Sequence, residues 1–289
     1  MSEIVPEETL SLDDMFEHKA FFIIGCPRSA TTAVAKILDT ARNAHVYVEQ
    51  EPKKELCIAA RNLFKKEVHE PIEIIKGLRD RQICTANEKG LVYGDKNPNY
   101  LQFVAYLDLI WKAKFIFIVR DGREVVRSSM GSYRHWRGNY YGLEEDGEKS
   151  DLDHPEQDWW DYSRLRPNSG DAYYDDWKKL SRFEKCCWNW NAFNSQILSQ
   201  TSKLDKDKWR LININRVNSV DFEEVFSFLG LTGFDSKKVE EILLSRVNSL
   251  MEKAGITHDF PHWDNWSQEQ SEIFSKHCAT MMDRLGYCA

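Results

Sequence analysis

The sequence predicts an α/β fold in three layers: a central parallel β-sheet of about five strands, flanked by helices. Three observations lead there. Short apolar runs alternate along the chain with longer helical stretches, the pattern of a parallel sheet covered on both faces. Two of the runs, Phe21–Ile24 and Phe115–Val119, are apolar at every position, as strands buried on both faces are. Each of these two runs also ends in a loop whose residues suit a phosphate or sulfate group.

In chain order, an acidic, polar tail (Met1–Lys19) leads into the first strand, and Gly25 turns the chain toward a helix expected over Ala33–Thr40. Ala44–Val48 reads as a short second strand, Lys53–Lys66 and Pro71–Asp80 as helices, and Leu91–Tyr93 as a brief strand ahead of Lys96. Asn99–Trp111 reads as a helix feeding the Phe115–Val119 strand. An insertion at about Arg137–Arg182 follows, then a helix, a last strand at Trp209–Ile214, and helices to the C-terminus. No internal repeat or linker divides the chain, so residues 1–289 are expected to form one domain. A chain of this length buries roughly three quarters of its unfolded surface.

Composition narrows the function. A net charge of −7 argues against a nucleic-acid partner, whose binding rests on a basic face. The seven cysteines (26, 57, 84, 186, 187, 278 and 288) are odd in number and form no C-x-x-C pair. They read as reduced thiols rather than a disulfide frame or a zinc site, and no set of metal ligands is apparent. No apolar run approaches the ~20 residues needed to span a bilayer. The expectation is a cytoplasmic enzyme with no membrane partner and no metal.

The chemistry is expected in the two loops. After Phe21–Ile24 come Gly25, Cys26, Pro27, Arg28, Ser29, Ala30, Thr31 and Thr32. A strand, a tight turn and a helix N-terminus bind anions because backbone N–H groups and the helix dipole point at the ligand. Arg28 adds a fork-shaped cation and three hydroxyls add donors. The second loop offers Arg120, Arg123 and Ser128. Two such loops on one sheet predict a ligand with phosphates at both ends. A nucleoside triphosphatase or kinase is the rival reading, but its loop needs G-x-x-x-x-G-K-[ST], and no such sequence follows Gly25. The dinucleotide fingerprint G-x-G-x-x-G is absent as well.

Gly25-Cys-Pro-Arg-Ser-Ala-Thr-Thr32 resembles the 5′-phosphosulfate loop of sulfotransferases that use 3′-phosphoadenosine 5′-phosphosulfate (PAPS). Arg120-Asp-Gly-Arg-Glu-Val-Val-Arg-Ser128 is similar to their 3′-phosphate motif, and Gly94-Asp-Lys-Asn-Pro98 to a Lys-containing segment that precedes it. Pro-Arg in the first loop resembles the tyrosylprotein and bacterial branch. The resemblance implies a P-loop-like fold, PAPS as sulfuryl donor and the bisphosphate PAP as product. It also implies in-line transfer to an acceptor oxygen or nitrogen. Gly25 through Thr32 would hold the 5′ end, Arg120 and Ser128 the 3′-phosphate, and Arg28 and Lys96 would supply cations at the departing oxygen.

Two carboxylates compete for the role of general base. An ungapped comparison from Arg28 puts Glu49 where tyrosylprotein-type enzymes carry their catalytic Glu, whereas many bacterial relatives show Glu-Pro, which selects Glu51. Two residues apart on an extended chain, both side chains can point the same way, so spacing does not choose; Glu49 is favoured. A histidine base is disfavoured, because Asn97-Pro98 occupies the segment where that residue would sit. The chain also departs from the family pattern. Ala30 replaces a usual Gly, which strains the loop by about 1 kcal/mol if the position needs positive φ. Asn213-Ile-Asn-Arg216 stands where relatives carry a Tyr-Glu-Asp-like stretch and is assigned no function. The segment Trp263–Phe274 resembles one that closes over the nucleotide, with a thin basic cluster.

Acceptor choice is expected in the insertion. Between Gly142 and Tyr162 lie nine acidic residues against one Lys, with Tyr140, Tyr141, Trp159, Trp160, Tyr173, Tyr174 and Trp177 in and around them. Acidic groups interleaved with aromatic faces suit a small cationic acceptor, such as an aminoglycoside-like amine or a guanidinium alkaloid. A sugar or phenol stacked on the tryptophans, or a merely solvated acidic lid, are the alternatives. A catalytically silent nucleotide-binding scaffold is a further reading, for which Ala30 is the one hint.

Overall fold

A computed structural model describes residues 19–131, 163–245 and 260–287 of the chain. Its centre is a parallel five-stranded sheet: β1 (Ala20–Gly25), β2 (Ala44–Val48), β3 (Val92–Lys96), β4 (Lys114–Val119) and β5 (Trp209–Asn213). The strand order is β2-β3-β1-β4-β5, so the two apolar runs lie side by side in the middle. Side chains alternate across the strands. Phe21, Ile23, Ile116 and Ile118 join one core, and Phe22, Ile24, Phe115 and Phe117 join the other. Both faces are covered, which is why β1 and β4 carry no polar residue among those positions. The edge strands have less to bury: Val48 of β2 and Leu211 of β5 are exposed.

Helices α1 (Thr31–Leu38), α2 (Lys53–Phe64), α3 (Pro71–Glu88), α4 (Val104–Trp111) and α5 (Gly122–Met130) connect or follow the first four strands. The chain then continues through α6 (Arg182–Thr201), α7 (Ser219–Leu229), α8 (Ser236–Leu244) and α9 (Gln268–Arg284). Among the described residues no helix is long and apolar enough to cross a membrane.

Three boundaries differ from the sequence reading by more than two residues. The helix expected to end at Asp80 runs to Glu88, because Ile83 and Ala86 extend the buried stripe of Ile75, Leu78 and Arg79. The first residue of positive φ after it is Gly90. The third strand extends to Lys96 rather than ending at Tyr93. Asp95 and Lys96 are polar, yet both are buried and in register with Phe22 and Ile23 of β1. The helix expected over Asn99–Trp111 begins as a 3-10 turn, Pro98–Phe103, whose start is capped by the Asn97 side chain accepting from the Asn99 amide at 2.9 Å. The α-helix proper occupies only its second half.

Candidate active site

Ligands of open parallel sheets bind beyond the carboxyl ends of the strands, and the candidate residues gather there. Gly25 ends β1 at a point where no side chain fits: a Cβ would stand 2.7 Å from Thr31 Cγ2 and 2.9 Å from the Ile118 carbonyl oxygen. The chain then folds into a tight turn in which the Ser29 amide donates to the Cys26 carbonyl at 3.0 Å. Two residues of this turn, Arg28 (φ 76°) and Ala30 (φ 59°), adopt the left-handed conformation. Ala30 does need positive φ, so the strain that the sequence raised as a condition is present. Ala30 is also the residue preceding α1 and gives that helix no side-chain cap. The first-turn amides of a helix lack intrahelical partners, so an anion can satisfy them here. Ser29 is 1% exposed, and its Oγ has no hydrogen-bond partner among the described residues.

The second loop closes on the first. Arg28 Nε donates to Ser128 Oγ at 2.9 Å, and Arg120 Nη1 donates to the Arg28 carbonyl at 2.8 Å. Arg28, Arg120 and Ser128 therefore form one cluster between the tips of β1 and β4. Arg28 was expected at the sulfuryl end with Lys96; in this arrangement it is bonded to the Ser128 side. Arg120 also pairs with Glu124 at 2.5 Å, and Glu124 in turn accepts from Asn215 Nδ2 at 3.0 Å. Arg123 is held elsewhere: its guanidinium pairs with Asp121 at 2.6 Å and lies 5.6 Å from the centroid of Trp263.

On the other side of β1, Lys96 and Glu49 meet. Lys96 ends β3 in register with Val48, the last residue of β2, so the next residue, Glu49, falls beside it. Lys96 Nζ donates to Glu49 Oε1 at 2.7 Å, and the Glu49 amide donates to the Lys96 carbonyl at 2.9 Å. Glu49 has φ 57°, a left-handed conformation that costs a non-glycine residue on the order of 1 kcal/mol or more. Glu51 turns away. Its side chain is 70% exposed, pairs with Lys53 Nζ at 3.0 Å and accepts from the Lys53 amide at 3.0 Å. The amide first, and then the ammonium, hold its carboxyl below the ordinary value. Asp95, the chain neighbour of Lys96, pairs with Arg79 of α3 at 3.4 Å, both side chains being fully buried. Desolvation pushes the Asp95 carboxyl up against the pull of Arg79 and of three hydrogen bonds.

The chain matches the family model described as "Sulfotransferase family" over residues 20–175, more than half of its length. It belongs to the sulfotransferase family. Among solved structures it is similar to the sulfotransferase domain from the curacin biosynthetic pathway, at 13% identity and a TM-score of 0.45, covering 90% of this chain and 97% of that one. It is also similar to the sulfotransferase domain of the Synechococcus PCC 7002 olefin synthase (12% identity, TM-score 0.40, covering 89% and 94%). A third is sulfotransferase STF9 from Mycobacterium avium (10% identity, TM-score 0.47, covering 94% and 78%). Among curated protein sequences none matches the chain.

As a sulfotransferase the protein moves a sulfuryl group from a sulfonate donor, and its loops fit a phosphate-bearing one. The fit rests on the orphaned Ser29 hydroxyl, the uncapped start of α1, the missing Cβ at Gly25 and the Arg28–Arg120–Ser128 cluster. The buried cysteines Cys26, Cys57 and Cys186 of the sulfotransferase are poor nucleophiles. Burial pushes the Cys57 thiol up to about 12 and the Cys186 thiol up to about 11, and raises Cys26 further.

Of the expected acceptor residues, Tyr140, Tyr141, Trp159 and Trp160 lie outside the described residues. Tyr173 is described: with φ 70°, it packs its ring 5.0 Å from His277 and beneath Lys276, both on α9. Those two residues donate to or share a proton with Glu184 Oε1 of α6, at 3.0 Å from Lys276 Nζ and 2.8 Å from His277 Nε2. Sequence reasoning missed this clip, and it missed Asn215 and Arg79. Asn215 lies in the stretch assigned no function, yet its Oδ1 accepts from the Asp121 amide at 3.0 Å and its Nδ2 holds Glu124. The signal available in the sequence was the replacement of an acidic stretch by two Asn residues flanking Ile214.

Proposed function

We propose that the enzyme transfers a sulfuryl group from PAPS to a hydroxyl or amine of a small-molecule acceptor, with Glu49 as general base. The observation that carries this reading is the Lys96–Glu49 pair at 2.7 Å, set beside a phosphate loop that contains an orphaned hydroxyl. PAPS, when bound, supplies an activated sulfuryl group on a phosphate leaving group. Ser29, Thr31, Thr32, the α1 amides and the backbone of Gly25–Pro27 hold the 5′ end, while Arg120 and Ser128 hold the 3′-phosphate. Arg28 lies between the two and adds its charge to both. Lys96 neutralises the negative charge that grows on the departing oxygen. Glu49 accepts the acceptor's proton, a contribution of roughly 10²–10⁴ in rate for a positioned base. Glu51 is unsuited to that task because its carboxylate is exposed and already bonded at the start of α2.

Thermal unfolding in the presence of PAP, ATP or GTP tests the donor assignment. A ligand at a hundred times its Kd stabilises by about 2.7 kcal/mol, a shift of several degrees for a chain of this size. Stabilisation by PAP alone is expected; stabilisation by ATP or GTP and not by PAP overturns the assignment. For the acceptor, the acidic and aromatic stretch between Gly142 and Tyr162 favours a small cation, bound by charge pairing and ring faces. Sulfation of neutral phenols, with none on any amine or guanidinium compound, refutes that class.

A further inference from the structure

Arg79 is fully buried in mid-helix, and nothing in the reaction above requires its charge. Its guanidinium reaches four groups. Nε donates to the Tyr100 hydroxyl and faces Asp95 Oδ2 at 3.4 Å; Nη1 donates to the Leu78 carbonyl at 2.7 Å; Nη2 donates to the Gln50 carbonyl at 2.9 Å. Asp95 completes the arrangement. Its Oδ2 accepts from Tyr100 at 2.5 Å and from Tyr93 at 3.3 Å, and its Oδ1 faces the Gln50 amide at 3.4 Å. Gln50 is thus held on both sides of its own Cα, by Asp95 at the N–H and Arg79 at the C=O. The same helix takes the next carbonyl too, since Gln82 Nε2 donates to the Glu51 oxygen at 3.3 Å.

Gln50 follows Glu49, and Asp95 precedes Lys96, so one buried ion pair grips the backbone next to both members of the active pair. Glu49 is held in a left-handed conformation that the chain would otherwise leave. A buried ion pair is a weak source of net stability, because desolvation offsets much of the attraction; what it does well is fix geometry. We infer that Arg79 is a positioning residue for sulfuryl transfer: with Asp95 and Tyr100 it clamps the backbone at Gln50 and so keeps Glu49 against Lys96. The inference rests on the reading of Glu49 as the base. Lysine cannot replace the planar fork, since one ammonium cannot reach Asp95, Tyr100 and the Gln50 carbonyl in the same way.

The test compares Arg79→Lys, Tyr100→Phe, Glu49→Gln and the double variant Arg79→Lys/Glu49→Gln. Each is measured for kcat, KM and calorimetric PAP affinity. A misplacement of about 1 Å can cost on the order of 100-fold in rate, so Arg79→Lys should lower kcat by roughly 10- to 100-fold. PAP affinity should stay within about threefold, because neither anion loop touches Arg79, and a merely structural role would move both readouts together. Tyr100→Phe keeps the ring against Phe22, 4.6 Å away, and should show the same split at smaller size. It carries the test if Arg79→Lys does not fold. The double variant should turn over no more slowly than Glu49→Gln, since residues that act through one another are not additive. Unchanged kcat in a folded Arg79→Lys, an equal loss of PAP affinity, or additive losses in the double variant each overturn the inference. Full activity of Glu49→Gln overturns the base assignment itself; an inactive Glu49→Gln beside a fully active Arg79→Lys sinks the Arg79 inference alone.

Discussion

The two flanks of β1 are built by different means. Toward β4 the site is made of two continuous stretches, each a strand end running into its own loop: a turn with two left-handed residues and a helix start, and a second loop whose Arg120 bonds directly to the first. Toward β3 it is made of three distant segments, bearing Glu49, Lys96 and Arg79, that meet only because the strands are in register and a buried ion pair locks them. The first flank is suited to holding a ligand with backbone amides and cations. The second is suited to placing one proton acceptor beside one cation. Variants on the two sides should therefore separate binding from turnover.

The largest separation is expected on the β3 flank. Glu49→Gln should lower kcat by roughly 10²–10⁴ while PAP still binds, because the variant removes the proposed base and leaves the two loops intact. Glu51→Gln, two residues on, should change kcat by less than about threefold, since an exposed surface ion pair is worth little. Steady-state kinetics together with a PAP titration check both. Equal losses for the two variants would break the contrast and reopen the choice between the carboxylates.

On the β4 flank the order of effects should reverse. Arg120→Ala removes a cation that bridges Glu124 and the Arg28 carbonyl. Hydrogen bonds to charged groups are worth about 1.5–3 kcal/mol, so PAP should bind roughly 10- to 100-fold more weakly. Turnover at saturating donor should fall much less. A drop in kcat as large as that of Glu49→Gln, with affinity unchanged, would mean that the two flanks are not divided in this way.

The same contrast explains what the sequence disclosed. The β4 flank was legible because each of its two loops follows its own strand in the chain: Phe21–Ile24 and Phe115–Val119 read as strands, and the loop residues come directly after each. On the β3 flank, Lys96 and Glu49 could be named as candidates, with Glu49 favoured over Glu51, but their contact could not be read. The contact appears only with the β2–β3 register, and the different setting of Glu51 only with its Lys53 pair. Arg79 was invisible. An Arg on a helix ordinarily signals a solvated face, and nothing local in Leu78-Arg79-Asp80 says that this one is turned inward to a buried Asp95. Asp95 and Lys96 misled the strand boundary for the same reason, since polar residues in a buried strand are tolerable only when a distant partner meets them.

A smaller effect concerns the strain in the first loop. Ala30 sits at φ 59°, where glycine has no steric penalty. Ala30→Gly should raise stability by about 1 kcal/mol or somewhat less, because the unfolded-chain entropy of glycine offsets part of the relief. Calorimetry should show Tm rising by roughly 2–4 °C per kcal/mol for a chain this long. A fall in Tm would mean that the left-handed turn is held without strain by its neighbours.

The smallest expected effect lies away from both flanks, at the clip that ties Tyr173 to α9. Burial pushes the Glu184 carboxyl up, but the hydrogen bonds from His277 and Lys276 pull it down by more, so it sits below its ordinary 4.5. A carboxylate depressed in the folded state adds stability above its unfolded pKa and loses it as the pH falls through the native one. Glu184→Gln should therefore be less stable than the parent at pH 7, and the gap should close as both are taken below pH 4.5. Because Lys276 is half exposed, salt should narrow the gap as well. Thermal melts of the two proteins across that range decide it. A gap that persists unchanged in acid would assign the contact to packing of the Tyr173 ring on His277 rather than to charge.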